Sequence, residues 1–112
     1  MRRSGKVLFK DKMAGTVWQD ENGYGFVYDK DYLKEKERGA EPVSLTMPLR
    51  DEPYYANTMI PFFDGLIPEG WLLEITVKNW KIDPNDRMGL LLTACKDCIG
   101  AVSIIPIENQ EI

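Results

Sequence analysis

The sequence predicts an α+β domain, a small and mostly antiparallel sheet with about three helices packed on one side, and three observations lead there. Residues 6–28 carry short apolar runs divided by turn signals. Residues 59–95 place apolar side chains at helical spacing, and residues 101–105 return to a β pattern.

Lys6, Val7, Leu8, Phe9 and Lys10 read as a first strand, turned at Asp11-Lys12. A second strand runs over residues 13–19, where Gly15 marks a bulge or a close approach of packed groups. Asn22-Gly23 is a type I′ hairpin signal. Beyond it Tyr24, Phe26 and Tyr28 alternate with Gly25 and Val27, which makes one face of the third strand aromatic. Residues 30–36 set charges around Tyr32 and Leu33 and suit one helical turn. Residues 43–47 alternate as a short strand stopped by Pro48, and residues 50–55, polar and holding Pro53, read as a surface connection.

Residues 59–66 read as a short helix that turns Ile60, Phe62, Phe63 and Leu66 inward, with Ile67 just after it. Pro68 suits the first position of a second helix, which runs to about Trp80 with Leu73, Val77 and Trp80 on one stripe. Asp83 is read as the cap of a third helix, with Pro84 first and Asp86 in the first turn. Its inward face is Met88, Leu91, Leu92 and Cys95. Ala101, Val102, Ser103, Ile104 and Ile105 form a final strand that Pro106 stops.

At 112 residues the chain fits one domain, 1–112, with an ordinary globular composition of 44% hydrophobic and 29% charged residues. A net charge of −4 argues against direct nucleic-acid binding, which calls for a basic surplus. The first residues are charged with no apolar stretch behind them, and no run is long enough to span a bilayer, so a cytoplasmic protein without membrane contact is expected. Cys95 and Cys98 are the only cysteines and histidine is absent, so a four-ligand zinc site cannot be completed within the chain. Their place after Leu90-Leu91-Leu92 puts the pair at a helix C-terminus, where no dipole lowers a thiol pKa, and they read as small buried groups.

Catalytic patterns are missing as well. Without histidine there is no Ser/His or Cys/His pair, and the chain has no phosphate-binding glycine loop and no kinase catalytic loop. Asp64 and Glu69 form the one carboxylate pair worth weighing, and helix-end roles explain them better than acid/base work. The expectation is a protein with no catalytic residues, no cofactor and no metal.

Three segments carry a family resemblance. Pro42-Val43-Ser44-Leu45-Thr46-Met47-Pro48-Leu49 resembles the P-L-S-x-S-L-P-L segment of HipA-type proteins. Residues 62–70, Phe-Phe-Asp-Gly-Leu-Ile-Pro-Glu-Gly, are similar to that family's F-F-D-N-L-L-P-E-G, and Asp97-Cys98-Ile99-Gly100-Ala101-Val102 to its G-R-D-C-x-G-A-V. Gly65 stands where the family often has Asn, and Cys95 where it has Gly. Together the segments resemble the N-terminal domain of HipA-type toxin kinases over essentially the whole chain. Such toxins phosphorylate an aminoacyl-tRNA synthetase, and their ATP loop, catalytic aspartate and metal ligands belong to the domain that follows.

The resemblance therefore implies a toxin–antitoxin role without kinase activity, as a HipS-like antitoxin that binds and blocks a separate HipA-type kinase subunit. It also implies a helix-turn-helix DNA-binding protein in the same complex. The residues expected at the partner surface are Trp71, Glu69, Asp64, Tyr54 and Tyr55. Trp71 opens the second helix, pointing away from its apolar stripe, so it reads either as an exposed anchor or as a ring packed on the Phe62-Phe63 turn. Two other readings stand beside inhibition: an accessory subunit that completes and supports a split kinase, and a small C-x-x-C redox protein.

Overall fold

The computed structural model describes residues 3–35, 39–67, 78, 83, 85–94 and 101–107. Its elements are β1 (Arg3–Phe9), β2 (Lys12–Asp20), β3 (Gly23–Tyr28), α1 (Lys30–Lys34), β4 (Tyr54–Ala56), α2 (Pro61–Asp64), α3 (Arg87–Ala94) and β5 (Val102–Pro106). The five strands form one antiparallel sheet in the order β4-β3-β2-β1-β5. The α+β class follows from the sequence as expected.

The two hairpins exchange the turn chemistry that the sequence suggests. Phe9 pairs with Lys12, and the two residues between them, Lys10 and Asp11, both take positive φ (50° and 67°), as a type I′ turn requires. At Asn22-Gly23 the loop residues are Glu21 and Asn22, neither with positive φ, and only Gly23 does so (131°). There the Asp20 side chain accepts the Asn22 N–H at 2.8 Å, a local hydrogen bond that competes with the primed turn.

Gly15 meets both parts of its expectation. The register slips between Val7 and Leu8, which leaves Ala14 bulged against β1, and on the other side its carbonyl accepts the Asp29 N–H at 2.7 Å, one step beyond the β2–β3 pairing. A Cβ at Gly15 would lie 2.2 Å from the Val27 carbonyl and 2.8 Å from the Phe26 ring, so the glycine makes room for both.

One face of the sheet carries the core. Val7, Val17, Phe26, Tyr28 and Ile104 point to it, and Tyr32, Phe63, Met88, Leu90 and Leu91 close over them from the helices. Phe26 packs on Phe63 with ring centroids 5.4 Å apart, and the burial of each such ring contributes about 1.5–3 kcal/mol. Helix α3 comes close to β1 because Gly5 has no side chain. A Cβ there would stand 2.7 Å from Leu92 Cδ2.

Four local expectations need correction. Residues 43–47 are not a strand: Ser44 and Met47 make an isolated bridge around a tight turn. Prolines at 42 and 48 bracket this segment, and the Ser44 hydroxyl accepts the Thr46 N–H at 3.2 Å, which turns the chain. The supposed connection over residues 50–55 ends in strand β4, where Tyr54 pairs with Phe26 and Tyr55 with Gly25. The helix after residue 59 covers only Pro61–Asp64, because Pro61 sets its first turn. Finally, Asp86 rather than Asp83 caps α3, since its carboxylate accepts the Gly89 N–H at 3.1 Å and its carbonyl the Leu90 N–H at 3.0 Å. Asp83 makes an earlier local bond, accepting the Asn85 N–H at 2.8 Å. The helix expected over residues 68–80 lies outside the described residues except for Lys78, which is exposed.

Candidate partner-binding surface

At one end of the sheet a pair of tyrosines holds the turn at residues 44–47. Tyr28 leaves β3 on the core side, and its hydroxyl donates to the Met47 carbonyl and accepts the Val43 N–H at 3.0 Å. Burial pushes its pKa up to about 12. Tyr32 from α1 stacks nearly parallel on it (5°, centroids 6.2 Å apart), and its hydroxyl donates to the Glu41 carbonyl at 2.6 Å. Burial raises the Tyr32 pKa too. With Val43 and Met47 buried on either side, the turn lifts Leu45 into solvent, where it is 96% exposed. Strand alternation would put Leu45 on one face with Val43 and Met47, and the turn instead points it away from them. The bracketing prolines and the Ser-x-Thr turn were the signal for a tip.

Strand β4 sends its two tyrosines to opposite faces. Tyr54 is half-buried on the core side, with its hydroxyl donating to the Pro48 carbonyl at 2.5 Å and the Arg50 guanidinium 3.7 Å from its ring centre. Tyr55 is 75% exposed on the other face, edge-on to Trp18 at 6.1 Å. The two therefore do not share one patch. Trp18 lies flat over Gly25, where a Cβ would meet its ring at 2.2 Å.

Asp64, at the end of α2, accepts from Arg87 Nε of α3 at 2.7 Å, so this carboxylate already has a cation inside the chain. One residue before Arg87, at the cap of α3, Asp86 takes a two-pronged contact from Arg3, at 2.9 and 2.7 Å. The hydrogen bonds from Arg3 hold the Asp86 carboxyl below its ordinary value. Arg3 Nε also donates to Gln19 at 3.0 Å, and Gln19 donates on to the Tyr24 hydroxyl at 3.1 Å. Among the expected site residues, Trp71 and Glu69 lie outside the described residues, as do Cys95 and Cys98. Among the described residues no three His, Cys, Asp or Glu side chains gather closely enough to hold a metal ion, and no helix is long and apolar enough to cross a membrane.

Comparison with known proteins gives a consistent result. The family model described as the HipA N-terminal domain matches residues 5–105. A solved structure titled N-terminal domain of HipA toxin superposes with a TM-score of 0.73 at 31% identity, covering 96% of this chain and 95% of that one. An uncharacterized protein of Haemophilus influenzae is 35% identical over 91% of both chains. A Sinorhizobium fredii protein named as a kinase, Y4mE, is 31% identical over 94% of this chain, which spans only 24% of that protein's length.

Proposed function

Because the chain belongs to the HipA N-terminal domain family, we propose that it is a non-catalytic part of a HipA-type toxin–antitoxin system, one that binds a separate kinase subunit and inhibits it. One observation carries this reading. The same domain makes up nearly all of the Haemophilus protein and only 24% of a protein named as a kinase. A domain that shares a chain with a larger unit commonly packs against it through several hundred Å² of surface. Where the two are separate chains, that surface becomes a binding interface.

The chain has no phosphate-binding glycine loop and no kinase catalytic loop, and the same interface could restrain the kinase or support it, so the sign of the effect is read by co-expression. What it offers is a rigid surface with large side chains at its edge. Trp71 is the proposed anchor, with Glu69 and Asp64 beside it in sequence and Tyr54 and Tyr55 on β4 as further contacts. A helix-turn-helix protein that binds operator DNA completes the proposed complex.

The test is co-expression with a HipA-type kinase chain that lacks this domain. Copurification and restored growth are expected. Copurification with undiminished or enhanced kinase toxicity would reverse the sign and make the chain an accessory subunit. Trp71→Ala should weaken the complex by about 2–4 kcal/mol with little change in melting temperature. A variant that melts far lower yet binds normally when folded would place Trp71 in the core and remove it from the interface.

A further inference from the structure

A second site lies at the far end of the sheet from the Tyr28 corner, where the β2–β3 turn meets β4. The β2–β3 turn and the exit of β4 enclose an open cleft of about 260 Å³. Its walls include Trp18, Tyr24 and Tyr55, and its polar groups are Asp20, Asn22 and Asn57. The cleft is built rather than incidental. Gly23 takes positive φ, and a Cβ there would stand 2.5 Å from the Ala56 carbonyl, so only glycine lets β4 close against the turn. Trp18 lies on Gly25, and its contact with Tyr55 sets the direction of that exposed ring.

The electrostatics of the cleft have one sign. Asp20 is the only charged residue among the described groups that line it, and the whole chain carries −4. One Asp20 oxygen accepts the Asn22 N–H. The Tyr55 ring and the Asn57 carboxamide stand at the mouth, both exposed. A carboxylate beside an exposed aromatic ring suits a planar cation, which can hydrogen-bond the first and stack on the second.

We propose that this cleft takes an arginine side chain of a partner protein, its guanidinium paired with Asp20 and laid against Tyr55. On the proposed function that partner is the kinase subunit, so this part of the inference rests on that reading. An ion-paired contact of this kind helps to fix the orientation in which a partner docks.

The cleft can be tested without the kinase. N-acetyl-arginine amide is titrated into the full chain labelled for NMR, with the uncharged analogue N-acetyl-citrulline amide as control. Saturable shifts at Asn22, Gly23, Tyr55 and Asn57 are expected with arginine, with citrulline weaker by about tenfold. Asp20→Asn and Tyr55→Ser should each cut the arginine response by at least about fivefold while the remaining spectrum keeps its folded pattern. Equal responses to both probes, shifts located elsewhere, or an Asp20→Asn chain that still binds arginine normally would each overturn the site. With the kinase subunit, Asp20→Asn should weaken binding by about tenfold, more at low salt than at high. A chain that binds the kinase but is indifferent to Asp20→Asn overturns the arginine contact and leaves the proposed function standing. A chain that answers arginine but never binds the kinase upholds the cleft and overturns the proposed function.

Discussion

The two ends of the sheet's core face are fastened by different chemistry. At the Tyr28 end the fastening is buried and neutral: two phenol hydroxyls bond backbone carbonyls, and one of them also accepts an N–H. At the Arg3 end it is charged and about one-third exposed, an Arg3–Asp86 pair with side chains 37% and 34% accessible. Out of water a hydrogen bond is costly to break, because each group left behind has no substitute partner. In partial contact with water an ion pair is worth little, since water replaces either member. The first end should therefore respond strongly to loss of a single hydroxyl, and the second weakly to loss of a whole side chain.

Between the two fastenings, the larger effect is expected for Tyr28→Phe. It keeps the ring and its stacking on Tyr32 but leaves the buried Val43 N–H and Met47 carbonyl without their shared partner. A loss of about 2–3 kcal/mol in denaturant unfolding should follow. A loss under about 0.5 kcal/mol would mean that water reaches this corner. Asp86→Ala should cost less, about 1–2 kcal/mol, mostly the missing helix cap with a small part from the Arg3 pair. The part due to Arg3 should fade at high salt, whereas the Tyr28→Phe loss should not.

The pH dependence sharpens the same contrast. Tyr28 has a raised pKa, so its contribution is intact below the ordinary tyrosine value of 10.0 and is lost as pH rises through about 12. Asp86 has a lowered pKa, so its contribution is intact above the ordinary 3.8 and is lost as pH falls below it. Stability curves of Tyr28→Phe and wild type should therefore converge only above pH 10, and those of Asp86→Ala and wild type only under acid conditions. Convergence at the opposite extremes would contradict the assigned causes.

How far the sequence can be read depends on the same distinction. The meander β1–β3 was legible because alternation and aromatic facing are local signals. The β pattern at residues 101–105 was also sufficient, although its partner β1 lies nearly a hundred residues away. Strand β4 was not legible, because three residues rich in tyrosine after a proline look like a loop until Phe26 is available to pair with Tyr54. The turn at residues 44–47 was misread because Val43, Leu45 and Met47 alternate with Ser44 and Thr46 as the residues of a strand do, whereas the structure buries Val43 and Met47 and exposes Leu45. The pairing of Asp86 with Arg3 joins residues 83 apart, and nothing local marks it. Of the expected partner surface, the sequence put Tyr54 and Tyr55 together on a polar surface connection; Tyr55 is exposed, whereas Tyr54 is half-buried on the opposite face and Asp64 is paired with Arg87, and nothing local marks either.

The smallest effect on stability is expected where a large apolar side chain stands outside both fastenings. Leu45 is 96% exposed, so it gains almost no burial on folding and Leu45→Ser should change unfolding by less than about 0.5 kcal/mol. Two residues on, Met47 is 3% exposed and packs in the core, so Met47→Ala should cost about 2–4 kcal/mol. The pair tests whether the tip is held from below, by Val43, Met47 and Tyr28, rather than by contacts of its own. Chemical denaturation of the two variants measures it directly. A Leu45→Ser loss that approaches the Met47→Ala loss would mean that Leu45 is buried in solution, and the turn would then be folded back onto the domain instead of projecting from it.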